Sequence, residues 1–378
     1  SDTEVVAISI YVWGENAFNK FNGFFAIAYY DDKDKIVTLV RDKVGQKPIY
    51  YSQIDKSVYF SSTEEMIPKS FKGKIRQESY VDFITYGFIP APFTMFENLK
   101  LLEPGSFVSF SMVGNNIKKT GVNRYWSPIL TNEIDNTNEA IEFLSYELEK
   151  SVAESLLAST EVACLYSGGV DSSLIFSYAR DINKEICAIT ADFGDYDDAS
   201  ERSLPLIHSY NHKNHILKEV SRQDVDKSFS YLTDICESPF DDTSVIPSNT
   251  VFHTVKSHGY RVALTGDGAD ELFCGYETFS KLNKMSKMLN PKYDTLRAGF
   301  NSIFGNVPDK FKDTNFQRLF MDESSLLVDL SCNGFKKRAW GNGIISDYDP
   351  FHHVEKLLKN YDGLDVISKF RMLQLSFR

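Results

Sequence analysis

The sequence predicts an α/β protein, with a parallel-sheet domain in its C-terminal part preceded by a smaller, strand-rich α+β segment. Three observations carry this. Glu161-Val162-Ala163-Cys164-Leu165 is a short apolar run of strand type, followed by a tight Ser167-Gly168-Gly169 turn and then by the helically spaced Leu174-Ile175-Phe176-Ser177-Tyr178-Ala179. A second apolar strand, Ile186 to Ala191, follows at the spacing of a right-handed parallel crossover. Residues 22 to 61, by contrast, alternate short strands with polar turns, as a β meander does.

Ser1-Asp2-Thr3-Glu4-Val5 enters patterned sequence at once, without the polar lead of a free terminus, and reads as cut. Asn22 to Asp31 reads as a strand, Asp31 to Lys35 as a charged turn and Ile36 to Arg41 as the returning strand; Tyr50-Tyr51 and Val58 to Ser61 continue the series. From about Phe71 to Pro128, Gly87, Pro90, Pro92, Pro104 and Gly105 give the composition of a connector that packs between domains. Asn136 to Ala158 reads as a helix burying Ala140, Ile141, Leu144, Leu148, Val152 and Leu156. Tyr260 to Leu264 is a further strand. Beyond Phe279 helices follow, with Leu282, Met285, Met288 and Leu289 on one face and Val354, Leu357 and Leu358 on another, broken near Asn306-Val307-Pro308 and Asn333-Gly334. Val366 to Arg378 is an amphipathic stretch without a cap.

The chain has 378 residues, enough for two cores, and 52 acidic against 41 basic residues for a net charge of −11. A nucleic acid would meet a repulsive field, so no nucleic-acid partner is expected. No run is long enough to span a membrane and no signal pattern opens the chain, so no membrane partner is expected and the cytoplasm is the default location. Cys164, Cys187, Cys236, Cys274 and Cys332 lack CxxC spacing and read as reduced packing thiols. Asp195, Asp197, Asp198 and Glu201 read as a solvated loop and helix start, because alternate metal-ligand spacing and a controlling glycine are missing. His208, His212 and His215 read as a surface helix end, since no fourth zinc ligand follows.

The chemistry gathers on two stretches. In Leu165-Tyr166-Ser167-Gly168-Gly169-Val170-Asp171-Ser172-Ser173 the glycines let backbone approach a ligand closely, and the serine hydroxyls stand beside the free N–H groups of a helix start, which makes an anion cradle. No Walker lysine follows. Asp171 is a second anion in that cradle, and two anions repel unless a cation lies between them, so Mg²⁺ is expected between Asp171 and a polyphosphate. The competing reading is a capped turn in which Asp171 only complements the helix dipole. Ligands of parallel sheets bind beyond the C-terminal strand ends, which places adenine near Leu165 and Thr190-Ala191. The second stretch, Thr265-Gly266-Asp267-Gly268-Ala269-Asp270-Glu271, crowds three carboxylates within five residues and also predicts a bound metal.

SGGVDSS resembles the PP-loop of the ATP pyrophosphatases, and TGDGADELFCGY resembles the signature of the glutamine-dependent asparagine synthetases and their β-lactam synthetase relatives. SDTEV, NGFFAIAYYD, RDKVGQKPIYY and VYFSSTEEM are similar to the latter half of a class II glutamine amidotransferase domain. The resemblance implies part of an N-terminal Ntn-type amidotransferase sandwich over residues 1–68, a connector over 69–135 and a PP-loop synthetase domain over 136–378 that lacks its C-terminal end. It implies ATP and Mg²⁺, with Asp171 and Asp270 holding Mg²⁺-pyrophosphate. Leu165, Ser167, Gly168, Gly169, Ser172, Ser173, Thr190, Ala191, Thr265 and Gly266 would line the nucleotide site. Asp267 stands where many members have glutamate and would serve the acyl-adenylate step; Asp2 would hold the α-amino group of glutamine. Asp242, within a segment similar to DEPFxDxSxIP, lines the substrate pocket or serves as a helix cap. Arg41-Asp42 and Gly45 match a structural segment. The nucleophilic cysteine of the amidotransferase has no counterpart, so no glutaminase activity is expected of the chain as it stands. The implied reaction joins aspartate to glutamine-derived ammonia with cleavage of ATP to AMP and pyrophosphate. A relative acting on another carboxylate, and a nucleotide-binding but catalytically incomplete chain, remain the alternatives. A homodimer is compatible with the resemblance, which does not fix the oligomeric state.

Overall fold

The computed structural model describes residues 1–280 apart from 115, 131–132, 195–198, 237, 240, 243 and 278, together with 283, 348, 350, 352–361 and 363–377. They form two compact units: Ser1–Ile129 with Cys236–Asp241 and Cys274–Arg378, and Leu130–Ile235 with Asp242–Phe273.

In the first unit the opening residues form a helix, α1 (Asp2–Trp13), whose first turn holds Asp2 and Glu4 where they complement its dipole. Ile10 is buried with Ala17, Phe18, Val40 and Phe107, whereas Val5, Ile8, Tyr11, Val12 and Trp13 are exposed. After α2 (Ala17–Lys20), strand β1 (Ala26–Asp31) begins four residues later than Asn22, because Gly23 at φ 129° turns the chain out of extended geometry. β1 pairs antiparallel with β2 (Ile36–Arg41) across the charged turn, where the Asp31 carboxylate accepts the Lys33 and Asp34 N–H groups. A second hairpin joins β3 (Tyr50–Ile54) to β4 (Ser57–Ser61). α3 (Lys69–Lys72) and α4 (Glu78–Tyr86) follow.

The stretch that reads as a connector supplies four strands. β5 (Leu99–Leu101) pairs with β3; β6 (Ser106–Val113) pairs with β2 and carries β7 (Asn116–Lys119) and β8 (Asn123–Arg124). The reason is period-two alternation in Ser106–Val113: Val108 and Phe110 pack with Leu39, Tyr51 and Leu102, while Phe107 faces the opposite way, toward Ile10 and Phe18. The Arg41 guanidinium donates to the Lys47 and Leu102 carbonyls, and Asp42 accepts the Gln46 and Lys47 N–H groups, so this pair is structural.

In the second unit α5 (Thr137–Ser155) starts at Asn136, whose side chain accepts the Asn138 and Glu139 N–H groups. Of its expected buried face, Val152 is buried but Ile141 is exposed. Then come β9 (Val162–Leu165), α6 (Val170–Ile182), β10 (Cys187–Asp192), α7 (Ala199–Ser209), β11 (His215–Glu219), α8 (Arg222–Ile235), α9 (Val245–Ser257), β12 (Val262–Leu264) and α10 (Ala269–Phe273). The sheet is parallel throughout, in the order β11-β10-β9-β12. It is covered on both faces: Val152, Cys164, Phe176 and Ile207 form one layer, and Ala163, Cys187, Ile189 and Val255 the other. This is why β9 and β10 read as continuous apolar runs. Cys164 and Cys187 are buried free thiols, and burial pushes the Cys164 thiol up to about 12.

Of the three histidines only the first lies at a surface helix end. His208 is exposed on α7, which stops at Ser209; His212 is buried, its Nε2 2.9 Å from the Ile186 carbonyl; His215 begins β11. The helix has ended before His212, which packs on the Phe176 ring, so helical spacing does not relate the three. Glu201 lies in the first turn of α7, whereas Asp195, Asp197 and Asp198 lie outside the described residues. So do Leu282, Met285, Met288, Leu289, Cys332 and the breaks near residues 306 and 333.

The C-terminal helices α11 (His352–Leu358) and α12 (Val366–Phe377) return to the first unit and bury Val354, Leu358, Phe370 and Leu373 with Phe279. A polar network accompanies them. Asp82, fully buried on α4, accepts from Arg76 at 2.8 Å and from the Tyr348 hydroxyl at 2.7 Å, and lies 3.2 Å from His353 Nε2. Burial alone would raise the Asp82 carboxyl, but the bonds from His353, Arg76 and Tyr348 hold it below its ordinary value. Among the described residues, no helix is long and apolar enough to cross a membrane.

Candidate active site

The sheet order decides where a ligand goes. From β9 the chain steps outward through β10 to β11, then returns to lay β12 on the other side of β9. β9 and β12 are therefore the topological switch point, beyond whose C-terminal ends parallel sheets bind ligands. Leu264 stands beside Cys164 in register, so the loops after Leu165 and Leu264 leave the sheet side by side.

The first loop is tied by its serines. Ser172 Oγ donates to the Gly169 carbonyl at 3.2 Å, accepts the Ser167 N–H at 3.2 Å and lies 3.0 Å from Ser167 Oγ. Gly169 occupies the N-cap of α6, and Asp171 sits in its first turn, where the helix leaves N–H groups without a carbonyl ahead of them. Gly168 takes φ 74°, and a Cβ there would lie 2.5 Å from the Arg202 carbonyl carbon and 2.6 Å from Ser203 N. Behind the loop, the Tyr166 ring stacks on Phe176 at 4.9 Å and its hydroxyl donates to the Ser203 carbonyl at 3.0 Å, which fixes α7 against the loop.

The second loop closes on the first. A Cβ on Gly266 would lie 3.1 Å from Ser172 N and 3.2 Å from Asp171 Cβ, so glycine is what permits this approach. Thr265 Oγ1 donates to Asp267 Oδ2 at 2.9 Å. Asp270 opens α10, and its carboxyl is raised by burial first and then by the neighbouring charges of Asp171 and Glu271. The charge of Asp171 thus reaches Asp270, but the three crowded carboxylates of this stretch do not converge as a metal site: among the described residues no group of three or more His, Cys, Asp or Glu side chains is placed to hold a metal ion.

The family model for asparagine synthase matches residues 144–372. The chain belongs to the asparagine synthase family. A glutamine amidotransferase domain matches residues 1–126, a span that takes in β5 to β8. The chain is 29% identical over 285 residues to asparagine synthetase (glutamine-hydrolyzing) 1 of Bacillus subtilis, covering 74% of this chain and 44% of that protein. It is 27% identical over 288 residues to putative asparagine synthetase (glutamine-hydrolyzing) 2 of Methanocaldococcus jannaschii, covering 74% and 54%. The chain thus spans about half the length of the curated relatives it matches. An NH3-dependent NAD synthetase from Campylobacter jejuni aligns at a TM-score of 0.29 with 16% identity, over 62% of this chain and 94% of that one, too slight a likeness to carry detail across.

Within this asparagine synthase fold, Ser167, Gly168, Gly169, Asp171, Ser172, Gly266 and Asp270 come together. Leu165 ends β9 and is partly buried, and Ala191 lies on β10. Ser173 is held in the first turn of α6 by its N–H bond to the Gly169 carbonyl. Thr190 is differently employed: it is buried, and its hydroxyl donates to the Tyr166 carbonyl while lying 2.9 Å from His215 Nε2. Since that single proton goes to Tyr166, His215 Nε2 is the donor toward Thr190. Burial, and then His212, lower the His215 imidazole from its ordinary value. Asp242 accepts from Ser244 N and Ser244 Oγ, the geometry of a turn just before α9. Asp2 is exposed in the other unit. The supporting layer of Tyr166, Ser203 and His215 was not legible in the sequence, because no spacing signals which helix a loop will rest on.

A test follows from Gly168. Gly168→Ala adds a Cβ at positive φ against α7 backbone that cannot swing aside, at a cost of about 2–3 kcal/mol. We expect Mg-ATP binding at least tenfold weaker by calorimetry, with a lower unfolding temperature; unchanged affinity would show the loop free to shift.

Proposed function

We propose that this chain carries the adenylating half of an ATP-dependent, amide-forming ligase, with aspartate as the acid and ammonia derived from glutamine as the nitrogen source. The observation that supports it most is the meeting of the two loops at the β9/β12 switch point, where a Cβ added to Gly266 would press on Asp171 and Ser172. In this reading the substrate carboxylate attacks the α-phosphorus of ATP, pyrophosphate leaves, and ammonia then displaces AMP from the acyl-adenylate. The N–H groups at the start of α6 and the hydroxyls of Ser167 and Ser172 bind the polyphosphate, while Gly168 and Gly169 let the backbone approach it. Asp171 and Asp270 would hold Mg²⁺, which when bound neutralises charge on the polyphosphate. Asp267, oriented by Thr265, would face the acyl-adenylate side.

Isotopic pyrophosphate–ATP exchange against a panel of acids tests the reading. Exchange dependent on aspartate supports it; exchange with a different acid assigns a related amide- or lactam-forming reaction; absence of exchange together with absence of Mg-ATP binding sinks it.

The cation has its own signature. Because the Asp270 carboxyl is raised in the folded chain, its ionisation opposes folding, and the stability linked to its proton is lost as pH rises through its folded value. A cation between Asp171 and Asp270 reverses that. Mg²⁺ at about tenfold its Kd should stabilise by about 1.4 kcal/mol at neutral pH, a rise of about 2–4 °C, and by less at an acidic pH at which the raised Asp270 carboxyl carries its proton. Scanning calorimetry with and without MgCl₂ reads this, and an equal shift at both pH values would argue against the pair as ligands.

A further inference from the structure

The peptide joining Tyr166 to Ser167 is the last unit of the chain before the anion cradle, and it is gripped on both edges. On one edge the Tyr166 carbonyl accepts the Thr190 hydroxyl from β10; on the other the Ser167 N–H donates to Ser172 Oγ on α6 at 3.2 Å. The register of β9 on β10 runs to Leu165 opposite Ile189, whose carbonyl also accepts the Tyr166 N–H at 2.9 Å. Past that register the bond to the Tyr166 carbonyl comes from a side chain. Ser167 Oγ lies 3.0 Å from Ser172 Oγ and accepts the Gly169 N–H at 3.4 Å, so the direction of this one peptide sets where the donors of the cradle point.

The grip has a second tier. Thr190 is only 1% exposed and its single proton goes to Tyr166, so the 2.9 Å bond to His215 is donated by the imidazole Nε2. Thr190 stands opposite Leu217 on β11, and His215 lies two residues before Leu217, which puts both side chains on one face of the sheet. The His215 ring also meets the Tyr166 ring edge to face at 6.4 Å. A proton on Nε2 leaves the threonine hydroxyl one direction to point. An imidazole with a bare Nε2 would draw that hydroxyl proton to itself and leave the Tyr166 carbonyl without it.

We propose that Thr190 and His215 are positioning residues of the nucleotide site: His215 directs the Thr190 proton onto the Tyr166 carbonyl, and that bond holds the Tyr166–Ser167 peptide in the orientation that presents the loop to a polyphosphate. The inference rests on the nucleotide-binding reading of the loop. Neither side chain touches the ligand. A peptide freed of this bond samples other orientations, and affinity falls in proportion to the fraction of chains that stays competent.

Calorimetry on the full chain measures Kd for Mg-ATP in wild type and variants, with unfolding temperatures alongside. Thr190→Val, which keeps the shape and removes the hydroxyl, should weaken binding about tenfold, and His215→Leu about three- to tenfold. Thr190→Ser and His215→Gln, whose amide nitrogen reaches the place of Nε2, should stay within about twofold of wild type. Val255→Ala, on the opposite face of the same sheet, should lower the unfolding temperature and leave affinity unchanged, which separates positioning from general loosening. Nitrogen NMR of the His215 ring should find its proton on Nε2. Unchanged affinity in Thr190→Val, an equal loss in Val255→Ala, or a ring proton on Nδ1 alone overturns the assignment and leaves the nucleotide site standing. Should Thr190→Val not fold, the contrast between His215→Leu and His215→Gln decides, equal affinities overturning the assignment. Failure of wild type to bind Mg-ATP overturns both readings.

Discussion

Asp171→Asn is expected to lower aspartate-dependent pyrophosphate exchange by about a thousandfold or more while leaving the metal-free chain as stable as before, or slightly more so. The two halves of this expectation have one cause. Asp171 contributes to the upward displacement of the Asp270 carboxyl, so its negative charge opposes the ionisation of a neighbour at the start of α10. Without a cation that repulsion is a cost of folding; with one it becomes a ligand pair. Asparagine keeps the size of the side chain and its place in the first turn of α6, but removes the charge. The fold should therefore survive and the cation should not bind. Asp270→Asn should act in the same direction, and the double variant should lose little beyond either single one, since both remove the same ion. Exchange rates on the four proteins, with thermal unfolding in the presence of a chelator, measure the cycle. Fully multiplicative losses would show that the two carboxylates act separately.

Asp82→Ala should cost about 3–5 kcal/mol in the first unit. The carboxylate is inaccessible to solvent and receives Arg76, Tyr348 and His353 together; removing it leaves the Arg76 guanidinium, which is also stacked 4.1 Å from the Phe93 ring centre, with only the longer 3.8 Å contact to the partly exposed Glu78 carboxylate. Arg76 and Tyr348 remain hydrogen-bonded at 3.1 Å, but the Tyr348 hydroxyl carries no charge and the Glu78 carboxylate is partly exposed to solvent. Because Asp82 lies on α4 and His353 on α11, the loss should loosen the C-terminal helices first, visible as faster hydrogen exchange in residues 352–358 than in β2 and β6. The Asp82 carboxyl is held below its ordinary value, so its contribution is present above the unfolded carboxylate range and is lost as pH falls through the lower folded value. Wild type should accordingly weaken on acidification below about pH 4 more steeply than Asp82→Ala. Parallel pH profiles would show that Asp82 contributes nothing to the acid sensitivity.

How much of the molecule is legible in its sequence differs between the units. In the second unit the apolar runs at 162–165 and 187–192 read as strands because the sheet buries both faces, and the glycine turn between them reads as a cradle because nothing else places two glycines ahead of a helix start. In the first unit, Asp2–Trp13 carries no strong periodicity of either kind, since apolar residues surround the helix. Ser106–Val113 is hidden by the prolines and glycines around it, although its own alternation is that of a strand. Thr190 illustrates a finer limit: its position at a strand end suggests a ligand contact, but His215 and the Tyr166 carbonyl, distant in sequence, claim its hydroxyl.

The sequence by itself determined the order of strand, turn and helix, the glycines that open the loop, and the carboxylates available to it, because these follow from local sterics and from charge along the chain. Only the tertiary structure decided that β12 lies beside β9 and not beyond β11. That choice rests on long-range strand pairing and on burial of both sheet faces, which no local pattern encodes, and it is what brings Gly266 against Asp171 and turns two separate acidic turns into one site.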